Sequence, residues 1–135
     1  MKALARSFLG GLHDEEYKMY SLTFLFHSEP PEIGPFSFSK AVMNEGDFAQ
    51  ISCIVTSGDR PLSISWSFHG ENLAPHGSAN GITTSNLGGR MSMLVIEQVK
   101  HTHQGNYTCQ ASNQAGTRSH TAQLIVNGNL EPVFG

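Results

Sequence analysis

The sequence predicts an all-β fold, a sandwich of two antiparallel sheets, and three observations support this prediction. Short runs of alternating apolar and polar residues occupy most of the chain from residue 33 onward. Gly, Pro, Asn and Asp separate these runs at intervals of roughly 8 to 12 residues, the spacing typical of sandwiches and barrels. The two cysteines and the single tryptophan, Cys53, Cys109 and Trp66, lie on different runs at inward-facing positions. One shared core between two sheets accounts for all three observations.

The first two predicted strands differ in how clearly they alternate. The first is split into residues 36–38 and 41–43, and the turn Asn44–Asp47 follows it. The second covers residues 49–56, where every other side chain is apolar and faces the core. Cys53 belongs to this inward set, so its sulfur is predicted to lie between the sheets.

The later strands follow the same rule with one weak stretch between them. The third strand places Trp66 and three apolar neighbours on one face and three serines on the other. The Gly-, Asn- and Ser-rich stretch from His69 to Gly89 predicts weak edge strands at most. Leu94 and Ile96 then form a strong inward pair. The remaining inward positions are Val99, Tyr107, Cys109, Ala111, Ala122, Leu124 and Val126.

The two cysteines are predicted to form a structural disulfide between the sheets. Cys53 and Cys109 lie on different strands, and Trp66 on the strand after Cys53 is placed to pack against the bridge. A metal or redox pair is the alternative, but the wide separation fits neither zinc-type nor CxxC spacing. Because stable disulfides persist in oxidising compartments, this prediction indicates the cell surface or the extracellular space.

Two short motifs surround the second cysteine. Tyr107 precedes Cys109 by two positions and predicts a tyrosine corner, in which the phenol bonds an upstream backbone group. Residues Asn106–Thr108 form an N-glycosylation sequon. Because Tyr107 faces inward, Asn106 faces outward, where a glycan can be attached.

Composition and missing motifs exclude several classes of function. With 8 basic against 11 acidic residues and no basic cluster, the chain lacks the positive surface typical of nucleic-acid binding. No apolar stretch approaches the ~20 residues of a membrane-spanning helix, so we expect no membrane insertion by this segment. GxSxG and HExxH motifs are absent from the sequence, and both cysteines are assigned to the disulfide. We therefore expect a protein that is not an enzyme and needs no cofactor.

Histidines are the remaining candidates for a metal site. His101 and His103 form an HxH pair, while His69, His76 and His120 lie elsewhere in the sequence. A lone HxH in a loop, with no cysteine or acid beside it, is a weak metal signal. We expect solvated corner histidines and no metal.

The chain divides into three predicted parts. Residues 1–31 show no sustained period and end in the breaker Glu29–Pro31. They are interpreted as a disordered tail, a wrongly started leader or a linker. Residues 32–127 hold the predicted domain, and residues 128–135 are interpreted as a linker to a following domain outside this sequence.

Residues 32–127 resemble an intermediate-set (I-set) immunoglobulin domain. The resemblance is carried by Glu45-Gly46, the Cys53, Trp66 and Cys109 set, Leu94-x-Ile96, Gly105-x-Tyr107-x-Cys109 and residues 111–116. Two segments, Gly34–Phe38 and Gly58–Trp66, are similar more narrowly to the Down syndrome cell adhesion molecule (Dscam) family. His103 departs from the pattern, since it stands where the family usually has an Asp whose candidate basic partner is Arg90.

Alternation also predicts the outward residues of each sheet. Ile54, Met93 and Val95 point outward from the sheet of the first, second and fifth strands, and all three are apolar. The outward positions of the other sheet are polar: Ser63, Ser65, Ser67, Asn106, Thr108 and Gln110. The candidate interface is therefore Gln50, Ser52, Ile54, Met93, Val95 and Glu97. The alternative interpretation is that these are ordinary surface residues, or residues covered by a tail or a neighbouring domain.

The Dscam resemblance implies a cell-surface recognition module. Members of that family recognise identical copies across cells, and their diversified domains pair antiparallel through this same sheet. The resemblance therefore implies homophilic adhesion and self-recognition of axons and dendrites, with immunoglobulin or fibronectin domains as neighbours in a larger protein. It also implies a place on the extracellular face of the plasma membrane, or in a secreted fragment. Two alternatives stay open: a heterophilic receptor or secreted immune-type binder, and an intracellular structural I-set module.

Overall fold

The computed structural model describes residues 28–75 and 77–128, which form two β-sheets packed face to face. Ten strands and one short 3-10 helix lie within these residues. The strands are β1 (Glu32–Ile33), β2 (Val42–Asn44), β3 (Ala49–Ser57), β4 (Ser63–Phe68), β5 (Glu71–Asn72), β6 (Gly77–Ala79), β7 (Ile82–Leu87), β8 (Met91–Ile96), β9 (Gly105–Asn113) and β10 (Gly116–Asn127). The helix (His101–His103) connects β8 to β9.

The order of the strands separates them into two five-stranded sheets. The first sheet has the order β1-β3-β8-β7-β6 and the second has the order β2-β10-β9-β4-β5. Neighbouring strands are antiparallel, except that β2 and β10 run parallel. A disulfide joins Cys53 on β3 to Cys109 on β9, with the two Cα atoms 6.3 Å apart. The predicted bridge between the sheets is therefore confirmed.

The core surrounds this disulfide. Trp66 is 3% exposed, and its indole N–H donates to the Ser92 hydroxyl at 2.9 Å. Because a buried N–H left without an acceptor costs about 1–3 kcal/mol, this serine stabilises the tryptophan in an otherwise apolar site. Leu94 and Ile96 on β8 are fully buried beside it. These positions are the ones at which the alternation of β4 and β8 places inward side chains.

The predicted first strand is wrong in part. Residues 36–38 form no strand, because the chain here crosses from β1 in the first sheet to β2 in the second. Phe36 packs edge-on against Trp66 with ring centroids 5.5 Å apart, and Phe38 packs edge-on against Tyr107 at 5.6 Å. The two aromatic residues therefore serve the core as packing groups of a connecting segment, and their alternation does not reflect strand pairing.

The sequence predicts weak edge strands at most between residues 69 and 89, and this prediction is wrong for β7. This six-residue strand lies inside the sheet, between β6 and β8. Its inward residues are Ile82 and Thr84, which are both buried. The Thr84 hydroxyl donates to the backbone carbonyl of Ala74 at 2.7 Å. A satisfied hydroxyl can occupy a core position, so a strand with polar composition can lie inside the sheet.

Tyr107 closes the corner between the 3-10 helix and β9. Its side chain is fully buried, and its hydroxyl donates to the backbone carbonyl of His103. Burial raises the pKa of the Tyr107 phenol well above its usual range, so the phenol stays protonated and remains a donor. This is the tyrosine corner that the spacing to Cys109 predicts.

His103 is itself buried at this corner, and Arg90 is not its partner. The backbone N–H of Lys100 donates to His103 Nδ1 at 2.9 Å, and the Nε2–H donates to the carbonyl of Asn80 at 2.7 Å. Arg90 lies beyond the opposite end of β8, where its guanidinium donates to the Gly58 carbonyl at 2.8 Å. The histidine therefore links two loops through hydrogen bonds to backbone groups.

Candidate recognition face

The outward side chains of β3, β8 and β7 form one continuous surface on the first sheet. Strand register places them in three rows across the sheet. The rows are Gln50, Val95 and Thr83; Ser52, Met93 and Ser85; and Ile54, Met91 and Leu87. These nine residues are called the β3–β8–β7 face below. Side chains in one row lie close enough to contact one another across neighbouring strands.

Apolar groups dominate this face along β8 and in its last row. Ile54 is 44% exposed and Leu87 is 48% exposed, which are high values for large apolar side chains. Met91, Met93 and Val95 are half-buried between them. Contiguous exposed apolar surface of this kind marks interaction sites more often than isolated apolar residues do.

Five of the six interface candidates from the sequence lie on the β3–β8–β7 face. The sixth, Glu97, follows β8 and is exposed at the margin. Sequence reasoning missed Met91 and Leu87, which complete the last row. Met91 continues the period-2 pattern of Met93 and Val95, so this signal was present. Leu87 carried no such signal, because its place on the face depends on the pairing of β7 with β8.

The β3–β8–β7 face carries no charged side chain. Its polar groups are amides and hydroxyls, and the Gln50 side-chain N–H donates to the Ser52 hydroxyl at 2.7 Å. This internal hydrogen bond satisfies two polar groups that a partner would otherwise have to pair. The face can therefore be covered by another neutral surface without leaving an unpaired charge.

Charged pairs lie instead near the turn between β2 and β3. Hydrogen bonds from the side chain and the backbone of His101 lower the pKa of the Glu45 carboxyl, with the ring nitrogen 2.9 Å from the oxygen. The backbone amide of Asn44 and the ammonium of Lys40 lower the pKa of the Asp47 carboxyl. Both carboxylates are therefore ionised at neutral pH, and they tie this turn to its neighbours.

The outward face of the second sheet differs in chemistry. It presents Ser63, Ser65, Ser67, Asn106, Thr108 and Gln110. The Thr108 hydroxyl lies 2.7 Å from the Thr121 hydroxyl on β10, and Asn106 is exposed. The sequon and the β3–β8–β7 face therefore lie on opposite sides of the sandwich.

We expect a glycan at Asn106 when the chain is made in a secretory pathway. The wild-type protein should then shift in gel mobility after treatment with an endoglycosidase, because the exposed side chain is accessible to the transferase. Thr108→Ser keeps the sequon and should shift likewise, whereas Asn106→Gln and Thr108→Ala should not. An unshifted wild-type band would disprove occupancy.

The histidines do not converge on a metal site in the part of the chain that the structure describes. His101 is exposed and bonded to Glu45, whereas His103 is buried and bonded to Lys100 and Asn80. No group of three His, Cys, Asp or Glu side chains suited to a metal occurs among residues 28–75 and 77–128. His76 lies outside the described residues.

Across residues 28–75 and 77–128, no helix is long and apolar enough to cross a membrane.

Comparison with known proteins identifies the family. Residues 30–113 match the family model described as "Immunoglobulin domain". The chain belongs to the immunoglobulin domain family. This immunoglobulin domain contains the disulfide, the buried tryptophan and the tyrosine corner on which the resemblance was based.

Within this family, the chain is similar to domains of individual known proteins. The immunoglobulin domain is 40% identical over 98 residues to the cell adhesion molecule Dscam1 of Drosophila melanogaster, covering 73% of this chain and 5% of that protein. The crystal structure of the Dscam1 Ig7 domain, isoform 9, matches with a TM-score of 0.69 and 39% identity, covering 73% of this chain and all of that one. The I-band fragment I67-I69 from titin matches with a TM-score of 0.61 and 28% identity, covering 73% of this chain and 32% of that fragment. The chain thus spans a small part of the curated relative, and its similarity to Dscam is greater than to this titin fragment.

Proposed function

We propose that this immunoglobulin domain is an adhesion module that binds an identical domain through the β3–β8–β7 face. The observation that carries the proposal is the contiguous, uncharged and partly exposed apolar surface of that face. The similarity to a cell adhesion molecule supports the same class of function. Binding by surface complementarity requires no catalysis and no cofactor.

The three rows suggest how two copies pair. In an antiparallel two-fold arrangement whose axis runs along the middle row, Ser52, Met93 and Ser85 each meet their own copies. The first row of one copy then covers the last row of the other, so that Val95 packs on Met91. The apolar stripe of β8 is buried along its whole length in this register.

A place outside the cell fits the chemistry of the chain. The disulfide is typical of an oxidising compartment, and the sequon at Asn106 on the opposite sheet leaves the β3–β8–β7 face free of glycan. We propose one module of a larger protein at the extracellular face of the plasma membrane, with further immunoglobulin or fibronectin domains beside it. On neurons, the same homophilic contact would serve self-recognition.

Two other functions predict different behaviour. A heterophilic receptor or secreted binder would use the connections between strands that lie within residues 70–89 or 114–118 and would not bind itself. An intracellular structural module would contain free thiols and an unmodified Asn106. The similarity to the titin fragment is the observation that favours this alternative. Self-association of the disulfide-bonded domain separates the first proposal from both.

Bead aggregation tests the proposal and its register together. Display on beads supplies avidity, which reveals contacts too weak for a dimer in solution. Wild-type beads should aggregate with one another, and beads carrying Met93→Asp or Met93→Lys should not, because each charge meets its own copy. A mixture of Asp and Lys beads should aggregate again, since opposite charges then face each other across the axis.

The controls separate binding from folding. Gln110→Asp adds the same charge to the opposite sheet, and its beads should aggregate like the wild type. Circular dichroism establishes that each variant is folded. Dispersed wild-type beads would overturn homophilic binding, and dispersed mixtures of the two Met93 variants would overturn the antiparallel register.

A further inference from the structure

Residues Glu29 and Pro31 are fixed to two loops at the end of the sandwich where the chain enters β1. The backbone N–H of Glu29 donates to the Asp59 carboxylate at 3.0 Å. In return, the backbone N–H of Asp59 donates to the Glu29 carbonyl at 3.1 Å. This reciprocal pair of hydrogen bonds joins the two residues, although neither belongs to a strand.

Asn113 joins this segment to a second loop. Its side-chain amide donates to the carbonyls of Glu29 at 2.6 Å and Asp59 at 3.0 Å. Its side-chain oxygen accepts from the backbone amides of Ala115 and Gly116, which fixes the turn between β9 and β10. One side chain therefore links the entering chain, the loop after β3 and the loop after β9.

Packing against Gly58 also holds the segment Glu29–Pro31 in place. Pro31 is fully buried, and a Cβ atom at Gly58 would lie 2.6 Å from the Pro31 Cα atom. Gly58 also has a φ of +119°, a conformation that side chains rarely adopt. Pro30 and Pro31 further restrict the backbone, because their rings fix φ and bias the preceding residue toward extended conformations.

We propose that Asp59, Asn113 and Gly58 form a seat that makes Glu29–Pro31 a rigid strut, so that the chain enters the domain at Glu29 in one fixed direction. The partner of this seat is thus the chain's own segment Glu29–Pro31. The seat lies in the loop after β3 and at the end of β9, outside the β3–β8–β7 face, so the proposal does not depend on homophilic binding.

Amide measurements on the full 135-residue chain test the strut. In the ¹⁵N-labelled wild type, the Glu29 amide should show the heteronuclear NOE of a strand residue, and the Asp59 amide should be protected from exchange. In Asn113→Asp, the turn-forming oxygen is retained but both donated hydrogen bonds are lost. The Glu29 and Asp59 amides should then exchange about tenfold faster, while the Cys109 amide is unchanged.

A matched variant in the same loop isolates the cause. Gln114→Asp adds the same negative charge one residue away on an exposed side chain, and it should leave both amides as in the wild type. A Glu29 NOE typical of a mobile tail in the wild type would overturn the strut. Unchanged exchange in Asn113→Asp would overturn the role of the seat. Neither result would alter bead aggregation, so this proposal and the adhesion proposal can fail separately.

Discussion

Removing the disulfide should lower the free energy of unfolding by roughly 4 kcal/mol, one of the two largest stability effects we expect in this chain. The bridge joins residues separated by 56 positions, and a link of this span restricts the unfolded chain strongly. Since small domains are stable by only about 5–15 kcal/mol, the paired substitution Cys53→Ala and Cys109→Ala leaves a marginal fold. Urea unfolding followed by tryptophan fluorescence measures the change.

The reference for this measurement is the wild type with and without a reductant. Reduced wild type should unfold at nearly the same urea concentration as the double-alanine variant, because both lack the covalent link. A loss below about 1 kcal/mol in the variant would contradict the expected role of the bridge.

Leu94→Ala should destabilise the domain by about 2–5 kcal/mol, the second large effect. The Leu94 side chain is fully buried in the core. Leu94 pairs with Ile51 on β3 and with Thr84 on β7. Truncation removes apolar contacts in the centre of the first sheet and leaves a cavity that the two neighbouring strands cannot fill. Thermal and urea unfolding of the variant give the value.

Val95→Ala is the matched control on the same strand. Val95 points to the opposite side and is only half-buried, so its truncation should cost much less than that of Leu94. Equal losses at the two positions would contradict the inward and outward assignment of β8. That assignment is also the basis of the candidate recognition face.

The strands that the sequence predicts well are those whose inward residues are mainly apolar. On β3 the alternation from Ala49 to Val55 survives in the structure, and on β8 Leu94 and Ile96 are buried as expected. The disulfide follows from the same alternation, because it places both sulfurs in the core. Period-2 patterns are reliable here since each strand has one face toward the other sheet.

The features that escaped prediction depend on partners distant in the sequence. The sequence alone suggests that Thr84 lies on the surface. Its burial is explained only by the Ala74 carbonyl, which accepts a hydrogen bond from its hydroxyl. Leu87 joins the recognition face only through its register with Met91. His103 similarly needs the Asn80 carbonyl to account for its burial. Composition and periodicity contain no information on such pairings. The roles of these residues can therefore be assigned only from the three-dimensional structure.

The lengths of the outermost strands bear on how the molecule behaves at high density on a surface. The four strands at the sheet edges, β1, β6, β2 and β5, have only two or three residues each. Long open edges expose rows of backbone N–H and C=O groups that pair with any extended chain and promote aggregation. On these four strands such rows are too short to extend the sheets across molecules. Along these four strands, selectivity between neighbouring molecules therefore depends on side chains, which mutation can vary, more than on the backbone, which every protein shares.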